Sequence, residues 1–175
     1  IANVKEDDLA NIIYYYGDEN NSRKIARRIV EYRKRSKITT TTELANIIKN
    51  CFPSKYYKKH PATKTFQAIR IYLNNEIEEL CDGLNNAARY LSRGGKICIV
   101  SFHSIEDRLI KKFFQFGGDN RDLNKNFLDK YRNKVVKPSS REIQINPRSR
   151  SAKLRFATRN QNKFTSVKLS ELGFE

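Results

Sequence analysis

"GGKICIVSFHSIEDRLIKKFF", residues 94 to 114, decides the fold. The Gly94-Gly95 pair closes whatever precedes it, and the apolar run from Ile97 to Val100 has the length of a strand. Ile105, Leu109 and Phe113 then share one helical face, with Ile110 and Phe114 beside it. An uninterrupted apolar strand is expected at the centre of a parallel sheet covered on both faces, and strand followed by helix is half of an α/β unit. Between the two lie Ser101, Phe102, His103 and Ser104, followed by Glu106, Asp107 and Arg108. That is the carboxyl end of the strand, where open α/β sheets bind ligands. A plainer reading also stands: Ser104 caps the helix, the acids suit its N-terminal dipole, and His103 is a surface loop residue.

Upstream, Phe66, Ile69, Leu73, Ile77, Leu80, Leu84 and Leu91 follow one another mostly in steps of three and four. They predict one long helix or two nearly collinear ones between Pro61 and the glycine pair, with Gly83 as a bend. Three shorter amphipathic helices come before. The first carries Leu9, Ile12, Ile13 and Tyr16 and stops at Gly17; the second starts at Ser22 as N-cap and is rich in arginine. The third opens with the capping pattern Thr40-x-x-Glu43 and buries Leu44, Ile47, Ile48 and Cys51. In the loop "PSKYYKKHPATKT", residues 53 to 65, Tyr56 and Tyr57 are placed to stack on bases while the lysines meet phosphates.

Downstream, "KVVKP" (134 to 138) and "SAKLRFATR" (151 to 159) read as an antiparallel pair at a sheet edge, joined through the arginine-dense "NPRSRSAK". The expected organisation is a helical domain over 1–62, an α/β part over 63–159 and a flexible tail over 160–175. Three strands cannot bury both faces of a doubly wound sheet. The chain also contains no methionine and opens on Ile1, so a C-terminal part of a longer protein is expected, with the remaining strands upstream.

Composition narrows the function. Across 175 residues, 35 lysines and arginines face 19 acids, a formal charge of +16, which favours an anionic partner. No apolar stretch approaches the ~20 residues of a membrane helix, and nothing resembles a signal peptide. Nucleic acid is preferred to a membrane face. Cys51, Cys81 and Cys98 are odd in number and widely spaced, which reads as buried thiols in a reducing, cytoplasmic setting. Two histidines and no CxxC pair argue against zinc. G-x-S-x-G, a P-loop and a dinucleotide glycine fingerprint are all absent. The polar patches that remain include Lys64, Arg70, Arg148, Arg150 and Lys153, each able to bind phosphate.

"HPATKTFQAIRIYLNNEIEEL", "GGKICIVSFHSIEDRLIKKFF" and "NPRSRSAKLRFATR" together resemble the bacterial small-subunit ribosomal RNA cytosine-N4 methyltransferase family (RsmH, or MraW). "YGDENNSRKIARRIVEYR" is similar to that family's helical insert, and the four blocks occur in the family's order. The resemblance implies a partial class I (Rossmann-like) methyltransferase sheet with an inserted helical domain. It implies S-adenosylmethionine as donor and methylation of the exocyclic amine of a cytidine in small-subunit ribosomal RNA, free or in the assembling subunit. The family's glycine-rich donor loop and its acidic ribose ligand match no position here, so no cofactor-binding residue is assigned and the chain alone is expected to be inactive.

On that resemblance, His103, Glu106 and Asp107 are expected beside the target base, with Phe102 as packing support. Tyr56, Lys64, Arg70, Arg108, Arg148 and Arg150 are expected to face RNA. A non-enzymatic RNA-binding remnant is the alternative, and a DNA-binding helical module is disfavoured because no recognition motif is present.

Overall fold

A computed structural model of the chain describes residues 1–53, 60–132 and 134–174, in two compact units, Ile1–Glu76 and Ile77–Glu175.

The first unit is helical: α1 (Glu6–Gly17), α2 (Ser22–Arg33), α3 (Thr41–Lys49) and α4 (Thr63–Leu73). Its core unites Leu9 and Ile13 of α1, Ile25 and Ile29 of α2, and Leu44, Ile47 and Ile48 of α3. These are the stripes the periodicity marks. Asn21, not Ser22, holds the N-cap position of α2, and the expected capping box of α3 forms, with Thr40 Oγ1 accepting from Glu43 N at 3.1 Å. The guanidinium of Arg33 binds the carbonyls of Ile1 and Val4, tying the first residues to α2. Gly17 lies against α4: a Cβ there would stand 2.8 Å from the Lys64 carbonyl oxygen and 3.3 Å from Ala68 Cβ. Gly17→Ala is therefore expected to destabilise the first unit by about 1–3 kcal/mol through overpacking, read as a lower urea midpoint.

The boundary falls at Glu76 rather than near residue 62, because α4 packs on α1. The long helical stretch is two helices, broken at Asn74-Asn75, where Asn75 adopts a left-handed φ of 49°. Gly83 lies inside the uninterrupted α5 (Glu76–Tyr90).

In the second unit α5 is followed by β1 (Lys96–Ser101), α6 (Ser104–Asp119), a short α7 (Ser140–Ile145) and β2 (Lys153–Thr158). The architecture is α/β, and the sheet of the described residues is a two-stranded antiparallel pair of β1 with β2, in the register Ile97↔Ala157, Ile99↔Arg155 and Ser101↔Lys153. "KVVKP" contributes a single bridge, Val136 to Leu154, instead of a strand. Ile97, Ala157 and Arg155 are buried on one face, while Val100 and Phe156 on the other are 51% and 41% exposed. β2 thus sets Leu154 and Phe156 on the open face and turns Arg155 and Ala157 inward. Cys98 shares the outer face and is exposed, whereas Cys51 and Cys81 are buried as expected.

On α6, Phe113 and Phe114 pack edge-on with each other, Phe113 also with Phe127, and Phe114 with Tyr131. Gly118 permits this: a Cβ there would meet the Asp129 carbonyl oxygen at 2.5 Å. The glycine pair in the last turn of α6 serves packing. Residues 160–174, expected to fray, are tied down. Phe164 packs on Phe127 at 5.0 Å, the Asn85 amide brackets Val167 at 2.9 and 2.8 Å, and Lys112 Nζ donates to the Leu172 carbonyl at 2.6 Å.

Candidate active site

β1 ends at Ser101, and the chain turns into α6 through Phe102 and His103. The N-cap is His103, one residue before the expected Ser104, because an imidazole nitrogen can accept as a hydroxyl does. His103 Nδ1 accepts from Glu106 N at 3.3 Å, and Glu106 Oε2 accepts from the backbone N–H of Phe102 at 3.0 Å and of His103 at 3.4 Å. This is a capping box built with histidine. With Nδ1 accepting, the neutral ring carries its proton on Nε2, which lies 3.2 Å from Glu106 Oε1. Burial pushes the Glu106 carboxyl up, but the His103 side chain and the Phe102 N–H outweigh it, so the group sits below the usual carboxylate range. Glu106 is ionised at neutral pH. Phe102 is exposed beside it.

Asp107 points the other way, into the unit. It is buried, and Arg155 holds it in a fork: Nε to Oδ1 at 2.6 Å and Nη2 to Oδ2 at 3.1 Å. Lys153 Nζ adds a contact to Oδ2 at 2.8 Å, and Arg155 Nη1 donates to the Tyr131 hydroxyl at 2.8 Å. Burial raises the Asp107 carboxyl, and Arg155 and then Lys153 more than reverse this, holding it low; the Arg155 guanidinium is pushed up, chiefly by Asp107. A carboxylate engaged in this way is a clamp between the first turn of α6 and the start of β2.

Ser101 pairs with Lys153, so a 3-10 turn at Pro147–Ser151, which carries exposed Arg148 and Arg150, feeds into β2 at the same end of the strand pair as His103. Arg108, exposed on the first turn of α6, lies 5.8 Å from the ring of Phe174. The structure thus brings His103, Glu106, Asp107, Arg108, Arg148 and Arg150 to one end of the second unit. Lys64 and Arg70 belong to the first unit, where Lys64 Nζ donates to the Asp18 carbonyl at 2.6 Å and Arg70 forks onto Glu76 at 2.7 and 2.8 Å. Tyr56, with Tyr57, lies outside the described residues. Nothing in the spacing of the sequence assigns a role to Arg155 or Tyr131. The available signal was Asp107 itself, three and seven residues before Ile110 and Phe114 on a buried flank, where an acid requires a basic partner.

The pattern of the MraW methylase family matches residues 1–160 and so runs through both units and the whole strand-end cluster. The chain belongs to that family. Curated relatives agree: the "Ribosomal RNA small subunit methyltransferase H" of Rickettsia canadensis is 47% identical over 169 residues, covering 90% of this chain and 55% of the relative. The protein of that name from Sulfurihydrogenibium sp. is 48% identical over 157 residues, covering 89% and 52%. The one from Ehrlichia canis is 49% identical over 158 residues, covering 89% and 53%. The chain spans about half the length of these relatives. Among the described residues no helix is long and apolar enough to cross a membrane.

Proposed function

We propose that this chain is the base- and RNA-facing part of an S-adenosylmethionine-dependent enzyme that methylates the exocyclic N4 amine of a cytidine in small-subunit ribosomal RNA, and that it is inactive without a donor-binding half. One observation carries the reading. The outer face of the β1–β2 pair shows Cys98, Val100 and Phe156 to solvent, and among the described residues no backbone partner meets the free edge of β1. An apolar strand with one open edge and one open face calls for further strands and a covering layer, as in a class I methyltransferase sheet.

The residues present do not fit the donor. Among the described residues at this strand end, Glu106 Oε2 is committed to the helix cap and Asp107 to Arg155 and Lys153, so neither carboxylate can offer both oxygens to the paired hydroxyls of a ribose. The donor's own step therefore lies outside this chain. What these residues do is hold the acceptor. A cytosine amine is a poor nucleophile because its lone pair is delocalised into the ring, so it must be extruded, oriented and hydrogen-bonded as it rehybridises. Glu106, kept ionised, is the acceptor for that amine, His103 beside it orients the carboxylate through the shared cap, and Phe102 is the exposed ring against which the base packs. Asp107 positions α6. Arg108, Arg148 and Arg150 take the phosphates.

Titration calorimetry with S-adenosylmethionine tests the division of labour: this chain is expected to give no heat, and a version extended upstream to the relatives' length is expected to bind. Binding by the chain alone would overturn it. In the extended protein, His103→Ala should lower methyl transfer to small subunits by roughly 10²-fold or more and cost about 1 kcal/mol of stability. His103→Asn, which restores a cap, should recover the stability alone. Unchanged transfer in both variants would remove His103 from the site.

A further inference from the structure

The exposed side of α1 ends in three consecutive tyrosines. Tyr14 and Tyr15 are 50% and 63% exposed and touch edge-on with centroids 5.2 Å apart. Tyr16 turns inward and meets Tyr72 of α4 at 6.1 Å, and Tyr72 is 48% exposed in turn. Single exposed aromatics are ordinary on a protein surface. Here two exposed rings on consecutive residues of α1 stand together, and among the described residues the hydroxyls of Tyr14 and Tyr15 make no hydrogen bond that would explain them structurally.

The surroundings are cationic. The turn at Asp18–Asn21 folds α2 back along α1, and the ion pair of Arg27 with half-buried Glu6 at 3.6 Å ties one edge of α2 to α1. Arg23 lies one turn before Arg27 on that edge, toward the end of α1 that carries the tyrosines, with exposed Lys24 beside it; neither has an ion pair among the described residues. The acids of α1, Glu6 to Asp8, sit at its opposite end, and Glu19, just after α1, is buried with its carboxylate on Asn21. Residues 1 to 76 contain 15 lysines and arginines against 8 acids.

We propose that Tyr14 and Tyr15 form a stacking platform for unpaired RNA bases, with Arg23, Lys24 and Arg27 holding the adjoining phosphates. The inference rests on the RNA reading above and adds a site in the first unit. Tyrosine offers every base a flat π surface without choosing among them, while arginine and lysine follow the backbone. Duplex RNA hides its base faces, so the platform selects single strands, loops or bulges.

Fluorescence anisotropy of the present chain with a labelled single-stranded RNA, and with a blunt duplex of the same sequence, tests it. The double variant Tyr14→Ala/Tyr15→Ala should bind the single strand about tenfold or more weakly, with the salt dependence unaltered. Tyr14→Phe/Tyr15→Phe should bind like the parent, since stacking needs the ring and not the hydroxyl. Arg23→Ala/Lys24→Ala should instead weaken both RNAs and flatten the salt slope. Circular dichroism melts should be unchanged, because the substituted side chains are exposed. If the parent binds the single strand and the Ala pair binds equally well, the platform is refuted while the RNA reading stands. Equal affinity of the parent for the duplex, or a loss in the Phe pair as large as in the Ala pair, also refutes stacking. No binding by the parent at low salt refutes both.

Discussion

Asp107→Ala is expected to destabilise the second unit by about 3–5 kcal/mol, the range for removing one partner of a buried ion pair. The reason is what it leaves behind. Arg155 is buried with its guanidinium shaped around that carboxylate, at 2.6 and 3.1 Å, and without it a charge stays in the interior. Lys153, whose ammonium lies 2.8 Å from Oδ2, can turn to solvent, so Arg155 dominates the loss. Urea melts at neutral pH measure this directly, and a loss below about 1 kcal/mol would place the pair in the class of surface bridges. Acid should mimic the substitution in the parent. The Asp107 carboxyl is held below its unfolded value of about 3.9, so its contribution is complete above that value and disappears as pH falls through the lower folded one. The acid limb of the stability profile should therefore be shallower in Asp107→Asn than in the parent. In an upstream-extended protein the same variant should also lose methyl transfer, since α6 carries His103 and Glu106 from the turn that Asp107 anchors.

Phe127→Ala should cost a similar amount, about 3–5 kcal/mol, and its consequence is more local. Phe127 is fully buried between Phe113 at 5.9 Å and Phe164 at 5.0 Å, and its carbonyl accepts from Arg159 at 2.7 Å. Through Phe164 it supports the segment that Asn85 and Lys112 fasten further along. Hydrogen exchange should thus show lost protection over residues 160–174 before α6 or β1 is affected. Uniform loss would mean that the segment and the core open as one.

Most helices were legible in the sequence. Leu9, Ile12 and Ile13, or Leu44, Ile47 and Ile48, repeat at helical spacing, and Thr40 with Glu43 announces its own cap. Such signals are local: a helix closes its hydrogen bonds within itself, so spacing and capping chemistry are enough to place it. The break between α4 and α5 was harder, because apolar steps of three and four run through Asn74-Asn75 without interruption and only the left-handed Asn75 ends the first helix. Ser104 and His103 compete for one cap by similar chemistry, and a one-residue shift leaves no trace in periodicity.

The strand-end site divides along the same line. That polar side chains crowd the carboxyl end of β1 is written in the order of residues 96 to 108, and family membership is carried by blocks that survive in sequence. Which of those side chains are occupied is not. His103 and Glu106 bind each other around a helix terminus, and Asp107 is claimed by an arginine 48 residues away. The facing of β2 depended on the same partner: alternation alone separates Leu154 and Phe156 from Arg155 and Ala157 without choosing an inner face, and the buried charge of Asp107 drew Arg155 inward and left Phe156 on the open face. The sequence by itself determined the helices, the position of the polar cluster and the basic character of the surface, all properties of neighbours along the chain. Only the tertiary structure decided strand pairing, the clamp and the anchored last segment. Each of those depends on groups far apart in sequence meeting in a dry interior, where an unpaired charge or an unfilled ring pocket is too costly to leave.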